Sequence, residues 1–155
     1  MRMPRVTRTA RVACLALFLA PTIAAAQATD LVSIAATGKP EEIRQALANG
    51  GKPNAQDAVG RTALMLAAAW NPDPQVIAML VKAGASINAR GPRGWTALMM
   101  AAYNNPNPDV VLALLDAGAD ARLRSDAGWT AFVYGQENDA LKGSAALARL
   151  RAAAR

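Results

Sequence analysis

The sequence predicts an all-α protein built as a stack of helical repeats, and three regularities support this prediction. A nine-residue stretch begins at Gly60, at Gly94 and again at Gly128, at intervals of 34 residues. The segments 71–77 and 105–111 match each other at the same spacing. A third set with this interval consists of Gly50, Gly84 and Gly118. Self-similarity at a period of about 20–50 residues is typical of solenoids, whose units bury their apolar faces against one another.

The first repeat is the least regular copy, and its helices are predicted from their end residues. Asp30 can accept a hydrogen bond from the first turn of a short helix. Pro40 suits the first turn of a second helix, where two glutamates interact favourably with the positive end of the helix dipole. That helix is expected to stop at Gly50, because glycine readily adopts the left-handed conformation found at helix ends.

The two central repeats carry the clearest helix pattern. Thr62 is expected to cap a helix that contains leucines and the pair Ala67-Ala68, whose small side chains let neighbouring helices approach closely. Pro72 and Pro74 separate this helix from a second one. The apolar side chains of the second helix fall on one stripe and are Val76, Ile77, Leu80 and Val81. The next copy repeats the pattern with Thr96, Ala101-Ala102, Val110, Val111, Leu114 and Leu115.

The last copy departs from this pattern, as a terminal repeat with one face in solvent is expected to do. Gly135 and Gln136 stand where the earlier copies have paired alanines, and a final helix is predicted over about residues 144–154. The arginines of that segment, including Arg149 and Arg151, suit either a solvated cap face or a contact surface.

These repeats resemble the ankyrin repeat, whose signature is T-P-L-H-x-A. The matching segments are Thr62–Ala67, Thr96–Ala101 and, more loosely, Thr130–Gly135, with Ala in place of Pro and Met or Val in place of His. The resemblance implies an ankyrin-repeat solenoid of helix–turn–helix units joined by β-hairpin-like fingers, in a domain over residues 29–153. The expected repeats cover about residues 29–57, 58–91, 92–125 and 126–153.

Residues 1–26 have the features of a signal-peptide helix that precedes the repeats. A start with four arginines is followed by an apolar run that ends in Ala24-Ala-Ala26. Cleavage is expected after Ala26, with Ala28 as the alternative. An uncleaved anchor is disfavoured because the run is shorter than the about 20 apolar residues of a spanning helix and contains Pro21. A lipid anchor is disfavoured because the apolar run follows Cys14.

Cleavage would change the charge and the chemistry of the chain. The full sequence has 17 basic and 11 acidic residues and a net charge of +6. Loss of the four N-terminal arginines leaves 13 basic and 11 acidic residues, so the high basicity is weak evidence for a nucleic-acid partner. The mature chain would contain no cysteine, which excludes disulfides and thiolate sites. We expect a periplasmic or secreted protein, similar to exported bacterial ankyrin-repeat proteins, with no membrane attachment after cleavage and no nucleic-acid partner.

The sequence contains no catalytic constellation. Histidine, the commonest general base and metal ligand near neutral pH, is absent. No phosphate-binding loop and no Gly-x-Ser-x-Gly elbow occurs. Met65 and Met99 stand where the family has His, and Met79 and Met100 fall at helical spacing. Core packing explains these methionines better than a metal site does. We therefore predict a non-enzymatic protein with no cofactor and no metal.

The family resemblance implies that a partner is bound by the finger tips and the exposed face of each first helix. The positions carried over to this sequence are Gln56, Ala58, Val59, Arg61, Ala69, Trp70, Arg90, Pro92, Arg93, Trp95, Tyr103, Asn104, Arg124, Asp126, Ala127, Trp129, Glu137 and Asn138. Most of the selected candidates are Trp, Tyr or Arg, because these residue types dominate binding hot spots. The candidate partner-binding residues are Arg61, Trp70, Arg90, Arg93, Trp95, Tyr103, Asn104, Arg124 and Trp129.

Two alternatives stay open from the sequence. Trp95 and Trp129 either contact a partner or pack over the turn before the helix. The basic and aromatic face suits an acidic protein surface, with an anionic glycan or cell-wall polymer as the alternative. The predicted function is a monomeric protein–protein interaction module of the bacterial envelope with an accessory, protective or toxin-neutralising role. The alternative function is a structural or cell-wall-binding module.

Overall fold

Residues 30–155, which the computed structural model describes, form a stack of α-helices. These helices are α1 (Leu31–Ala35), α2 (Pro40–Ala48), α3 (Ala63–Trp70), α4 (Pro74–Lys82), α5 (Ala97–Asn104), α6 (Pro108–Asp116), α7 (Ala131–Glu137) and α8 (Ala145–Ala153). The all-α prediction is confirmed for this part of the chain, and none of its helices is long and apolar enough to cross a membrane. The predicted signal peptide, residues 1–26, lies outside the described residues.

The helices form two layers. The first helices of the repeats pack side by side in the order α1, α3, α5, α7, and the second helices pack in the order α2, α4, α6, α8. Within each repeat the first helix also packs on the second. The hydrophobic core therefore runs through the whole stack, and each central repeat depends on both of its neighbours.

Helix α3 is buried on all sides up to its last residue, because α1, α4 and α5 pack around it. Every residue from Ala63 to Ala69 is buried. The hydroxyl of Thr62 accepts a hydrogen bond from the amide of Met65 at 3.3 Å, which confirms the predicted cap. The side chain of Met65 is itself buried, as the core interpretation of this methionine predicts.

The second helices bury a single stripe. Val76, Ile77 and Leu80 of α4 are fully buried, as the spacing of apolar residues predicts. The helix begins where the carboxylate of Asp73 accepts a hydrogen bond from the amide of Gln75 at 2.9 Å. On its other side α4 exposes Gln75, Ala78 and Lys82, and Val81, which the sequence placed in the stripe, is half-buried.

The fingers that join the repeats in residues 30–155 are tight, hairpin-like turns that contain no strands. Residues 30–155 contain no β-strand, and the isolated bridge found among them pairs Gln56 with Thr62. In the first finger the amide of Asp57 donates to the carbonyl of Arg61 at 2.9 Å. The amide of Gly60 donates back to the carbonyl of Asp57 at 3.0 Å. Two such bonds close the finger within five residues, so too little chain remains for a strand ladder.

A buried asparagine connects the two central repeats where α5 ends. The Nδ2 group of Asn105 donates to the carbonyls of Ala68 and Asn71, both at 2.9 Å. Its Oδ1 atom accepts a hydrogen bond from the amide of Asn107, also at 2.9 Å. Asn105 is fully buried, and both ends of its amide have the partners that a buried polar group requires.

The same arrangement occurs in the repeats on either side, and we call Asn71, Asn105 and Asn138 the asparagine ladder. Asn71 donates to the carbonyls of Ala35 and Gly38, and Asn138 donates to those of Ala102 and Asn105, at 2.9 to 3.1 Å. Each ladder residue therefore holds the end of the preceding first helix. The ladder sets the position of each repeat on the one before it.

The last repeat closes the stack with a polar cap, as predicted. Helix α8 begins where Ser144 accepts a hydrogen bond from the amide of Leu147. A Cβ atom added at Gly135 would lie 3.1 Å from Leu147 Cδ1, so the glycine allows α7 and α8 to approach closely. Arg149 pairs with Asp116 of α6 at 2.8 Å, which favours the cap interpretation for this arginine.

We predict that Asn105→Ala destabilises the fold far more than Asn104→Ala does. Removing Asn105 leaves two buried carbonyls and one amide without their partner, which should lower the free energy of unfolding by about 2–4 kcal/mol. Asn104 is half-buried, its side chain makes no hydrogen bond within residues 30–155, and its replacement should change stability by less than about 0.5 kcal/mol. Urea unfolding checks the pair, and equal midpoints for the two variants would contradict the role of the ladder.

Candidate functional site

The three fingers place equivalent residues beside the first helices. In each finger an amide donates to the carbonyl four residues later, and these pairs are Asp57 with Arg61, Gly91 with Trp95, and Ser125 with Trp129, at 2.8 to 2.9 Å. Arg61, Trp95 and Trp129 therefore hold equivalent places in successive fingers. We call the surface formed by the fingers and the adjacent first helices the finger face.

Four aromatic side chains on the finger face form one cluster across the last two repeats. The ring centroid of Trp95 lies 4.4 Å from that of Tyr134 and 5.6 Å from that of Tyr103. The ring of Trp129 lies 5.6 Å from Tyr134, and the rings of Tyr103 and Tyr134 lie 6.0 Å apart. The pairs are tilted or edge-to-face, as aromatic quadrupoles prefer. We call Trp95, Tyr103, Trp129 and Tyr134 the aromatic cluster.

The aromatic cluster has a buried base and an exposed edge. Tyr134 is buried, and its hydroxyl lies 2.9 Å from the Oγ atom of Ser125. Trp95 is half-buried and packs against the core. Tyr103 is 47% exposed and Trp129 is 50% exposed. The face therefore presents two aromatic rings that other aromatic rings hold in place.

Trp70 and Asn104 lie apart from these contacts. Trp70 is the last residue of α3 and is 55% exposed. Asn104 holds the equivalent place at the end of α5 and is half-buried. The structure thus brings together three of the predicted aromatic residues, Trp95, Tyr103 and Trp129, and leaves Trp70 one repeat away.

Three of the four predicted finger arginines are engaged within the protein. The Nε atom of Arg61 donates to a carboxylate oxygen of Asp57 at 2.7 Å. Arg90 reaches into the third finger, where it donates to the carbonyl of Arg124 at 2.9 Å and lies 3.5 Å from Asp126. Arg124 donates to a carbonyl of its own finger at 2.8 Å. These bonds hold the fingers together, and the carboxylates of Asp57 and Asp126 partly offset the charges of Arg61 and Arg90.

The pKa values of two carboxyl groups reflect this internal pairing. The backbone amide of Arg61, with help from its guanidinium, holds the pKa of Asp57 below its ordinary value. Arg122 lowers the pKa of Asp120 by donating hydrogen bonds to it, and Asp120 raises the pKa of Arg122 in return. Within residues 30–155, no group of three acidic side chains lies where it could hold a metal ion.

Arg93 differs from the other finger arginines in both its backbone and its side chain. It has a φ of 59° and a ψ of 21°, a left-handed conformation that is unfavourable for a residue with a Cβ atom. Among residues 30–155 it is the one non-glycine residue with a positive φ. It is exposed, and its guanidinium forms no hydrogen bond or ion pair within that part of the chain. Arg93 therefore offers an unpaired charge.

A groove of about 290 Å³ lies on the finger face, and we call it the finger groove. It is lined by Val59, Arg61, Pro92, Arg93, Trp95 and Met100. Four of these side chains are apolar, and two are arginines. The groove shares Trp95 with the aromatic cluster, so the two features form one continuous surface.

Sequence reasoning missed Tyr134 and Met100 as members of this surface. Both stand where the first full repeat has Leu66. The available signal for Tyr134 was an aromatic residue at a position that is Leu or Met in the two earlier copies, and no such signal marked Met100. Two carried-over positions need correction. Ala69 is buried because α3 is surrounded by other helices, and Asn138 is engaged in the asparagine ladder.

Comparison with known proteins agrees with the repeat architecture. A family model described as ankyrin repeats (3 copies) matches residues 31–125 and 68–148. The chain belongs to the ankyrin-repeat family. Ankyrin repeats are generic protein–protein interaction modules, and members of the family are typically non-enzymatic. No curated protein matches the chain significantly.

We predict that Arg93→Gly stabilises the protein by up to about 1 kcal/mol, because glycine adopts a positive φ without the steric cost that a side chain carries. Ala127→Gly is the matched control, since Ala127 holds the equivalent place in the third finger and has no positive φ. There the added freedom of the unfolded chain should lower stability by about 0.5–1 kcal/mol. Thermal unfolding measures the stability of both variants. If Arg93→Gly destabilised the protein, backbone strain at Arg93 would be ruled out.

Proposed function

We propose that this protein is exported and holds a protein partner on its finger face. The observation that carries the proposal is the aromatic cluster, which exposes Tyr103 and Trp129 above a buried base. Trp, Tyr and Arg dominate the hot spots of protein interfaces. Rings that are already held in place lose little conformational freedom when a partner binds, so more of the contact energy appears as affinity.

The position of the cluster supports a partner that spans more than one repeat. Trp95 and Tyr103 belong to one repeat, and Trp129 and Tyr134 belong to the next. The finger groove continues this surface toward the first full repeat through Val59 and Arg61. A partner that covers the surface would contact three successive fingers, which is an extended interface rather than an enclosed pocket.

Export is supported by the sequence of residues 1–26. A basic start, an apolar run and the small residues Ala24-Ala-Ala26 follow one another in the order of a cleavable signal peptide. The chain beyond Cys14 contains no cysteine, so the repeat domain does not depend on the redox state of its compartment. In the bacterial envelope such a binder would serve as an accessory, protective or toxin-neutralising protein.

The double variant Tyr103→Ala/Trp129→Ala should lose the partner. The full chain with a C-terminal tag is used to capture proteins from the envelope fraction of the source cell, and the affinity of the captured protein is then measured. We expect the Kd to rise at least about 30-fold, which is the effect of losing one strong hot-spot side chain.

The matched control is Gln75→Ala/Lys82→Ala, which changes two exposed residues of α4 in the second layer. This variant should bind as the unchanged protein does, and circular dichroism should show that both variants remain folded. Equal binding by the two double variants would refute the finger face as the interface. Retention on peptidoglycan with no protein partner would instead support the cell-wall-binding alternative.

N-terminal sequencing of the protein isolated from its own cells tests export separately. Cleavage after Ala26 would place Gln27 at the new N-terminus, and cleavage after Ala28 would place Thr29 there. A small residue before the cut is what signal peptidase sites share. A cellular protein whose N-terminus is still Met1 and which fractionates with the cytoplasm would contradict the proposal.

A further inference from the structure

We infer that the finger groove receives a partner segment in which a large apolar side chain lies next to an aspartate or glutamate. Arg93 binds the carboxylate, and the apolar lining of the groove takes the neighbouring side chain. The inference rests on the proposed function and adds the chemistry of the partner to it. It is carried by the size and lining of the groove, by the unpaired guanidinium of Arg93 and by the backbone of that residue.

The size and lining of the groove fit one anchoring side chain. A volume of about 290 Å³ lies at or below the lower end of the range of about 300–1,000 Å³ that small-molecule pockets occupy. The apolar lining comes from Val59, Pro92, Trp95 and Met100. Val59 is 60% exposed, so a large part of the apolar surface that a partner could cover lies open at this place.

The charge at the groove selects a carboxylate. Arg93 has no partner for its guanidinium within residues 30–155. Arg61 uses its Nε atom to bind Asp57, and its two terminal nitrogen atoms make no hydrogen bond in the same part of the chain. A guanidinium next to an apolar surface binds a carboxylate through charge-assisted hydrogen bonds. A basic partner segment would be repelled by Arg93, whereas Asp57 partly offsets the charge of Arg61.

The backbone of Arg93 points to a role for its side chain. The carbonyl of Arg93 accepts a hydrogen bond from the amide of Asp126 at 3.0 Å, which fixes the second finger against the third. Glycine at this position would keep that bond and remove the strain of the positive φ. The strain therefore comes from the presence of a side chain at this position, and strained residues cluster at active sites, ligand-binding segments and switch regions.

The remaining arginines argue against a polyanion. Nucleic acids and other polyanions are bound by neutralising many of their charges at once. Arg90 and Arg124 donate to backbone carbonyls of the third finger, and Arg122 is paired with Asp120. The groove offers the unpaired guanidinium of Arg93 beside an apolar surface, and the second arginine of its lining, Arg61, is already bound to Asp57. This arrangement suits one carboxylate with an apolar neighbour.

Selection from a random peptide library displayed on phage tests the inference with the full chain as bait. We expect peptides in which Asp or Glu adjoins Phe, Trp, Leu or Met. The variant Arg93→Gly should lose the preference for Asp and Glu. The matched control Arg122→Ala should keep it, because Arg122 lies outside the groove and is bound to Asp120.

A synthetic peptide from the selection then isolates the carboxylate. Fluorescence anisotropy gives its Kd and that of its counterpart with Asn or Gln in place of the acidic residue. The unchanged protein should bind the amide peptide at least about 10-fold more weakly, as the loss of a charge-assisted bond predicts. Arg93→Gly should bind both peptides equally, because the two changes remove the same interaction.

Several results would overturn the inference. These are selected peptides without acidic residues, an acidic preference that survives in Arg93→Gly, a selection that yields no peptide dependent on Arg93, or retention on a heparin column that Arg93→Gly abolishes. Failure of the inference differs from failure of the proposed function. An envelope partner that Tyr103→Ala/Trp129→Ala loses but Arg93→Gly binds normally would refute the acidic segment and leave the finger face intact.

Discussion

Buried side-chain amides fix the register of this stack, and the other features depend on that register. Asn105 holds two carbonyls at the end of α3, so a shift of α5 along α3 would break both bonds and leave buried polar groups unsatisfied. Apolar contacts between the alanines of α3 and α5 have no comparable directionality. Close packing brings the helices together, and the asparagine ladder fixes their register relative to one another.

Fixed first helices in turn fix the fingers, which are short and tied to one another. Gly91 of the second finger lies directly on Met65, where a Cβ atom would come within 2.7 Å of the Met65 sulfur and displace that side chain. Arg90 extends from the second finger to the third. A surface that is already ordered loses little entropy on association, which is an advantage for a module that acts only by binding. Arg93 is the exception on this surface, because its guanidinium makes no contact that holds the fingers together within residues 30–155.

The sequence was sufficient for the helices and insufficient for the contacts between repeats. The period of 34 residues, the cap at Thr62 and the apolar stripe of Val76, Ile77 and Leu80 all follow from local physics, and the structure has them. The repeat distinguishes Asn105, which is equivalent to Asn71, from its neighbour Asn104, but it does not show that the Asn105 side chain bonds to carbonyls of the preceding repeat. The pairing of Arg90 with the third finger spans more than 30 residues, which no local pattern encodes. Helix periodicity is a property of one segment, whereas the finger face is assembled from three.

The place of Tyr134 has a consequence for the stability of the surface. Tyr134 belongs to the terminal repeat, yet it is the ring on which Trp95 of the preceding repeat rests. A terminal repeat has a neighbour on one side only, so local opening begins at such ends. When the last repeat unfolds locally, Trp95 loses its contact with Tyr134, and the aromatic cluster is no longer ordered. Occupancy of the face and order at the C-terminal end are therefore thermodynamically linked, and a bound partner would protect the amides of α7 and α8 from hydrogen exchange.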